Sequence, residues 1–216
     1  MTIDDDYDDR DYWNTQAAVG IEAARLAVWS EPDWAEGGAA CIAAVVDGLG
    51  PVLASEEGSR SIGDVVDVGC GIGRLLVPLA VLFPGTDFLG LDLSAEMLVH
   101  ARELIHLHGL ENASLMNGDV REVAFMDGLA GFYSVVTFQH LAAEMQHRYI
   151  ATLAKSLRHG GIGRFQWVTD ADPGPRSNPV EEPVMVEWCT SAGLEVTAID
   201  RHLVRPGWAW ITAVKP

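Results

Sequence analysis

Short apolar runs alternate with longer stretches of helical period along most of this chain. Val65–Val68 is a compact run suited to a buried strand, and Ile72 to Phe83 repeats its apolar positions as a helix that Pro84-Gly85 stops. Asp87 to Leu93 predicts another strand, and Ser94 to His108 a helix with Gly109 just past its end. Ala113 to Met116 and Phe132 to Phe138 read as strands, Leu141 to Arg158 as a helix ended by His159-Gly160-Gly161, and Ile162 to Thr169 as a strand. A loop rich in Pro, Gly and acids, Ala171 to Pro183, precedes a helix over Val184 to Ala192. Leu194 to Val204 and Trp208 to Val214 then flank Pro206-Gly207, the pattern of an antiparallel hairpin. Alternating strands and helices imply a three-layer α/β sandwich around a mostly parallel sheet that this hairpin closes.

The N-terminal quarter differs. Its first eleven residues are acidic with little to bury, Trp13 to about Ser30 reads as an amphipathic helix, and Asp33 is placed to cap a second helix ending near Gly48 or Ala54. We therefore divide the chain into an acidic tail with a helical lid or cap segment, residues 1–55, and the alternating domain, residues 56–216.

Composition narrows the class. The 216 residues, 49% of them hydrophobic, suffice for one sizeable core. No apolar run approaches the ~20 residues that span a bilayer. The start, "MTIDDDYDDRD", lacks the basic and apolar parts of a secretory signal, so a cytoplasmic protein is expected. Cys41, Cys70 and Cys189 form an odd set without a C-x-x-C pair, which points to reduced, space-filling thiols. A formal charge of −17 with no Lys/Arg cluster argues against nucleic acid and anionic membranes as partners.

The chemistry concentrates in "VVDVGCGIGRLLVPLA", Val65 to Ala80, where three glycines lie between a strand and a helix. Such a turn exposes backbone N–H groups, and glycine removes the Cβ that would hold a ligand away. Asp67 ends the first strand and Asp92 the second, at about the distance used to grip ribose hydroxyls. Each acid, and Asp119 in "NGDV", also reads alone as a helix cap or turn residue.

In order, "DVGCGIG", "LGLDLSAEML" and "NGDV" resemble the successive cofactor motifs of class I S-adenosylmethionine-dependent methyltransferases, over residues 63 to 170. The resemblance implies a Rossmann-like, seven-stranded methyltransferase fold with S-adenosyl-L-methionine as cofactor. It implies that Asp67 and the loop Gly69, Cys70, Gly71 and Gly73 hold the methionine end. Asp92 would accept the ribose hydroxyls, Leu93 would pack on the adenine, Asp119 would accept from its amino group, and the Val120 N–H would face the ring. Gln139 would lie beside the transferable methyl.

His140, one residue on, is the candidate general base where an acceptor must lose a proton. His140, Glu144 and His147 share a face if the helix already includes His140, but that set suits magnesium poorly, and no metal is assigned. Tyr12, Trp13, Trp167 and Trp208 are candidates to wall an apolar acceptor pocket. The resulting expectation is O- or N-methylation of a small organic acceptor. The alternatives are a non-catalytic cofactor-binding regulator, a methyltransferase acting on a protein or peptide, and, less favoured by the G-x-G-x-G spacing, a nicotinamide-dependent oxidoreductase. The oligomeric state has no signature here.

Overall fold

A computed structural model describes residues 10–18, 33–53, 64–121, 128–169 and 177–216. The N-terminal helices are α1 (Arg10–Ala18) and α2 (Asp33–Leu53). Then follow β1 (Val65–Val68), α3 (Leu76–Leu82), β2 (Phe88–Asp92), α4 (Ala95–Leu107), β3 (Ala113–Asn117), β4 (Leu129–Ser134), a single 3₁₀ turn (Phe138–His140) and α5 (Ala143–Ser156). The chain ends with β5 (Leu157–Val168), α6 (Glu182–Ser191), β6 (Glu195–Arg201) and β7 (Trp208–Val214).

The seven strands lie in the order β3-β2-β1-β4-β5-β7-β6. All pairings are parallel except those of β7, which runs antiparallel between β5 and β6, as the hairpin pattern predicts. The order reverses between β1 and β4, and a crevice opens there beyond the carboxyl ends of the strands. β1 is buried along its length, and a separate apolar core fills each face of the sheet. One core takes in α2 and α3, the other α5 and α6. Among the described residues of the 1–55 segment, α2 therefore belongs to the sandwich, and α1 lies over the crevice. The helix expected to reach Ser30 is described only to Ala18, and its remainder lies outside the described residues, as does most of the acidic tail.

Three boundaries differ from the pattern. The helix expected from Ile72 begins at Leu76, because Gly71 and Gly73 adopt positive φ (53° and 81°) incompatible with a helix. The strand expected at Phe132–Phe138 spans Leu129–Ser134; beyond it Val136 turns to φ 67°, and Phe138 folds back to stack on Phe165 at 4.7 Å. The helix expected to reach Arg158 ends at Ser156, where Leu157 extends to pair with Leu129 and starts β5.

One interior feature had no sequence signal. Arg164 on β5 is fully buried, donating to the Ala44 carbonyl (3.0 Å), Asp200 (2.8 Å) and Thr212 Oγ1 (2.9 Å). It fastens α2 to the sheet, and Gly48 makes the room for it: a Cβ there would lie 2.4 Å from Arg164 Cδ.

Candidate cofactor and acceptor site

The glycine loop sits at the carboxyl end of β1, in the crevice. Its amides are mostly spoken for, unlike the free N–H groups the motif suggested. Gly69 and Cys70 donate to the Leu91 carbonyl (2.8 and 3.1 Å), Gly71 to Asp92 Oδ2 (2.8 Å) and Gly73 to the Cys70 carbonyl (3.0 Å). What the loop offers is therefore a surface without side chains. A Cβ on Gly71 would meet nothing within 4 Å, so that position faces open space in the crevice. Gly69 answers to packing, since its Cβ would fall 2.0 Å from Thr137 Oγ1.

Two acids flank this surface. Asp92 accepts from Gly71 through one oxygen and from Ser94 N–H through the other, both at 2.8 Å. The cap of α4 is Ser94 itself, whose Oγ accepts from Met97 N–H at 3.1 Å, so Asp92 braces the cap residue while bordering the crevice. Each oxygen keeps a second lone pair for a ligand hydroxyl. Burial raises the Asp92 pKa, and the two N–H donors oppose that rise. Asp67 is more extreme: burial pushes it up to about 8, against the neighbouring Tyr133 hydroxyl and with the help of the Asp92 charge. The Cys70 thiol is raised by burial and then by both carboxylates, which makes it inert.

Asp67, Val68, Gly69, Cys70, Gly71, Asp92, Leu93 and Val120 all border one cavity. Met97, Leu141 and the Tyr149 ring add apolar wall, Thr137 a hydroxyl, and Arg74 a cation whose pKa burial lowers. Arg74 follows the loop directly in sequence, a signal that could have been read; Tyr149, on α5, gave none. Asp119 stands behind the Gly118–Val120 wall, held by the Arg121 backbone N–H (2.7 Å) and guanidinium (3.0 and 2.7 Å). Burial raises its pKa, but these bonds and Tyr149 outweigh it and leave the carboxyl lowered.

The far wall is Trp13 and His140, edge to face with centroids 5.4 Å apart. α1 brings Trp13 there, packing it with Ala17 against Ile72 and Met97, while Ser94 Oγ donates to Asn14 Oδ1 at 2.6 Å. Tyr12 stands outside the wall, edge-on to Trp13 at 5.0 Å. Trp167 and Trp208 do not line this cavity: both are buried in the two sheet cores, Trp167 donating to the Val180 carbonyl at 3.0 Å. Strand parity turns them into the sheet faces and away from the crevice. Gln139 also lies behind the wall, against Gln166 and His140. His140 precedes α5 on the 3₁₀ turn, so it does not share the helix face of Glu144, which pairs with Arg148, and His147, which stacks on Trp188. Of the loop expected to overhang the mouth, residues 170–176 lie outside the described set; Asn178 is tied to the Gln139 and His140 carbonyls.

Residues 65–161, which carry the loop and both acids, match the family described as a methyltransferase domain. That stretch is similar to methyltransferase domains, and the curated relatives it matches are methyltransferases by name. Over 103 residues the sequence is 37% identical to a trans-aconitate 2-methyltransferase of Deinococcus radiodurans, covering 48% of the chain and 37% of that protein. Over 98 residues it is 35% identical to ribosomal RNA small subunit methyltransferase G of Chlorobium luteolum, covering 45% and 38%. The chain thus matches well under half the length of these curated relatives. In structure it is similar to the magnesium protoporphyrin IX methyltransferase of Synechocystis with bound S-adenosylhomocysteine: TM-score 0.71, 18% identity, 96% of this chain and 98% of that one. That likeness is one of fold.

Proposed function

We propose that this chain is an S-adenosylmethionine-dependent methyltransferase that methylates a small organic acceptor on oxygen or nitrogen. The observation that carries the reading is the bare Gly71 surface, open to the crevice and braced by the same Asp92 that offers lone pairs to ribose hydroxyls. Asp67 and the loop hold the methionine end, and Leu93, Met97 and Val120 enclose the adenine. Asp119, which does not border the cavity, would reach the adenine amino group only by turning away from Arg121. Gln139 acts from behind the wall beside the methyl. The cofactor supplies a methyl already made electrophilic by a sulfonium. What remains for the chain is to align the acceptor in line with the bond that breaks and to exclude water. We assign α1 the part of lid, with Trp13 on the acceptor side facing His140 and Tyr12 packed behind it.

The enclosed, partly apolar cavity and the charge of −17 favour a small acceptor over RNA. The three free, buried thiols fit a cytoplasmic setting. The test is calorimetry with S-adenosylhomocysteine, with NAD titrated in parallel. Turnover is then screened by mass spectrometry on small carboxylates, phenols and amines beside a ribosomal RNA fragment. Binding of the homocysteine compound and methylation within the small-molecule set is the expected result. NAD binding alone, or transfer only to RNA, overturns the reading; cofactor binding with no transfer to any acceptor points to a regulator.

A further inference from the structure

A buried chain of amides runs from a strained backbone position to the imidazole in the cavity wall. Val136, a β-branched residue at φ 67°, donates its N–H to Gln166 Oε1 at 2.9 Å. Gln166 Nε2 donates to Gln139 Oε1 at 3.3 Å, and Gln139 Nε2 faces His140 Nε2 at 3.3 Å. Gln166 is fully buried and Gln139 nearly so.

The direction of every bond in this chain follows from its first member. A backbone N–H can only donate, so the Gln166 atom facing Val136 is the oxygen. Its other end is then the amide nitrogen, which makes the facing Gln139 atom an oxygen in turn. That leaves the Gln139 nitrogen, a donor with no lone pair to offer, against His140 Nε2. The contact is a hydrogen bond only when Nε2 presents its lone pair. In the neutral ring the proton must then sit on Nδ1.

We propose that Gln166 and Gln139 are positioning residues that fix His140 as its Nδ1–H tautomer. His140 then takes no proton from the acceptor. Its one lone pair is capped by the Gln139 amide, and its other nitrogen is a donor. The tautomer assignment stands on geometry alone. Its chemical consequence rests on the methyltransferase reading: the acceptor attacks through a lone pair that needs no deprotonation in the site, as a carboxylate oxygen does. The O–CH₃ bond then forms as the sulfonium C–S bond breaks, the sulfur keeps the bonding pair, and no proton moves. Arg74, the cation in the same wall, favours such an anionic acceptor.

The test is nitrogen NMR of the full chain labelled with ¹⁵N-histidine, without ligand and at a pH where the ring is neutral. Loss of one resonance set in His140→Asn identifies the ring. The expected wild-type pattern has a protonated Nδ1 and a bare Nε2. Gln166→Glu should invert it: a carboxylate accepts from both Val136 and Gln139, the Gln139 amide turns over, and its oxygen calls for a proton on Nε2. Should that buried acid prevent folding, Gln139→Leu, nearer the surface, should abolish the pure Nδ1–H pattern. A wild-type ring protonated on Nε2 overturns the proposal, and so does a pattern unchanged in whichever of the two glutamine variants folds. Neither result touches the cofactor-binding measurement, so the two readings fail separately.

Discussion

The Gly71 N–H donates to Asp92 Oδ2 across 2.8 Å, joining residues 21 apart in sequence at the ends of β1 and β2. The acid that we propose for the ribose hydroxyls thus also shapes the glycine loop that we propose for the methionine end. Because the other Asp92 oxygen accepts from Ser94, an asparagine there must point its NH₂ at one backbone N–H or the other. Asp92→Ala is therefore expected to weaken S-adenosylhomocysteine binding by ~100-fold or more, the loss of two charge-assisted bonds of about 1.5–3 kcal/mol each. Asp92→Asn should come close to the same loss, where a simple count of ribose acceptors would leave it near wild type. Calorimetry on the two variants separates these outcomes.

Asp67 makes binding depend on pH. With a pKa near 8 in the free protein it is mostly protonated at pH 7, and pairing with the cofactor ammonium requires the carboxylate. Affinity should rise from pH 6 to 8, and titrations in buffers of different ionisation enthalpy should report release of roughly one proton near pH 7. Folding carries the opposite sign. The folded pKa lies above the unfolded value of 3.8, so the stabilisation is complete below 3.8 and is lost as pH rises through about 8. Between pH 5 and 8 the apo protein should lose about 1.4 kcal/mol per pH unit relative to Asp67→Asn, measured by urea unfolding. Parallel curves for the two proteins would refute the raised pKa.

The sheet was legible because β1 and β2 are apolar runs bounded by Gly, Pro or Asp, and because Pro206-Gly207 announces a hairpin. Asp67 and Asp92 could be set at strand ends from spacing alone. Trp167 and Trp208 went astray for a physical reason: a period of two says which residues share a strand face, but not whether that face meets a helix or the crevice. The Gln166–Gln139 chain was invisible too, since it depends on β5 lying beside the turn after β4, and on Val136 taking a backbone conformation its residue type disfavours.

Arg164 and Gly48 show the same limit and yield a stability prediction. By helix propensity alone, Gly48→Ala in α2 should stabilise the protein by roughly 1 kcal/mol. The added Cβ would instead lie 2.4 Å from Arg164 Cδ and 2.7 Å from its Nε. Arg164 cannot step aside without giving up its bonds to Ala44, Asp200 and Thr212. Overpacking of this kind costs about 1–3 kcal/mol, so the melting temperature should fall rather than rise. Gly50→Ala, two residues on and across the helix from Gly48, with nothing within 4 Å of its Cβ, is the control and should not fall.

Trp13 separates lid from scaffold. It packs on Ile72 and Met97 at the rim of the crevice, outside both cores of the sheet, and meets His140 edge to face. If α1 is the lid that we propose, truncating Trp13 uncovers the crevice and leaves both sheet cores intact. Trp13→Ala should weaken S-adenosylhomocysteine by about tenfold, roughly 1.4 kcal/mol, chiefly through faster dissociation. Asn14→Ala, which breaks only the tie to Ser94 Oγ, should shift the dissociation rate in the same direction by less. The melting temperature of the free protein should barely move in either variant. If Trp13→Ala lowers that temperature sharply while the dissociation rate of bound ligand stays put, α1 is part of the scaffold, and access to the site is controlled elsewhere.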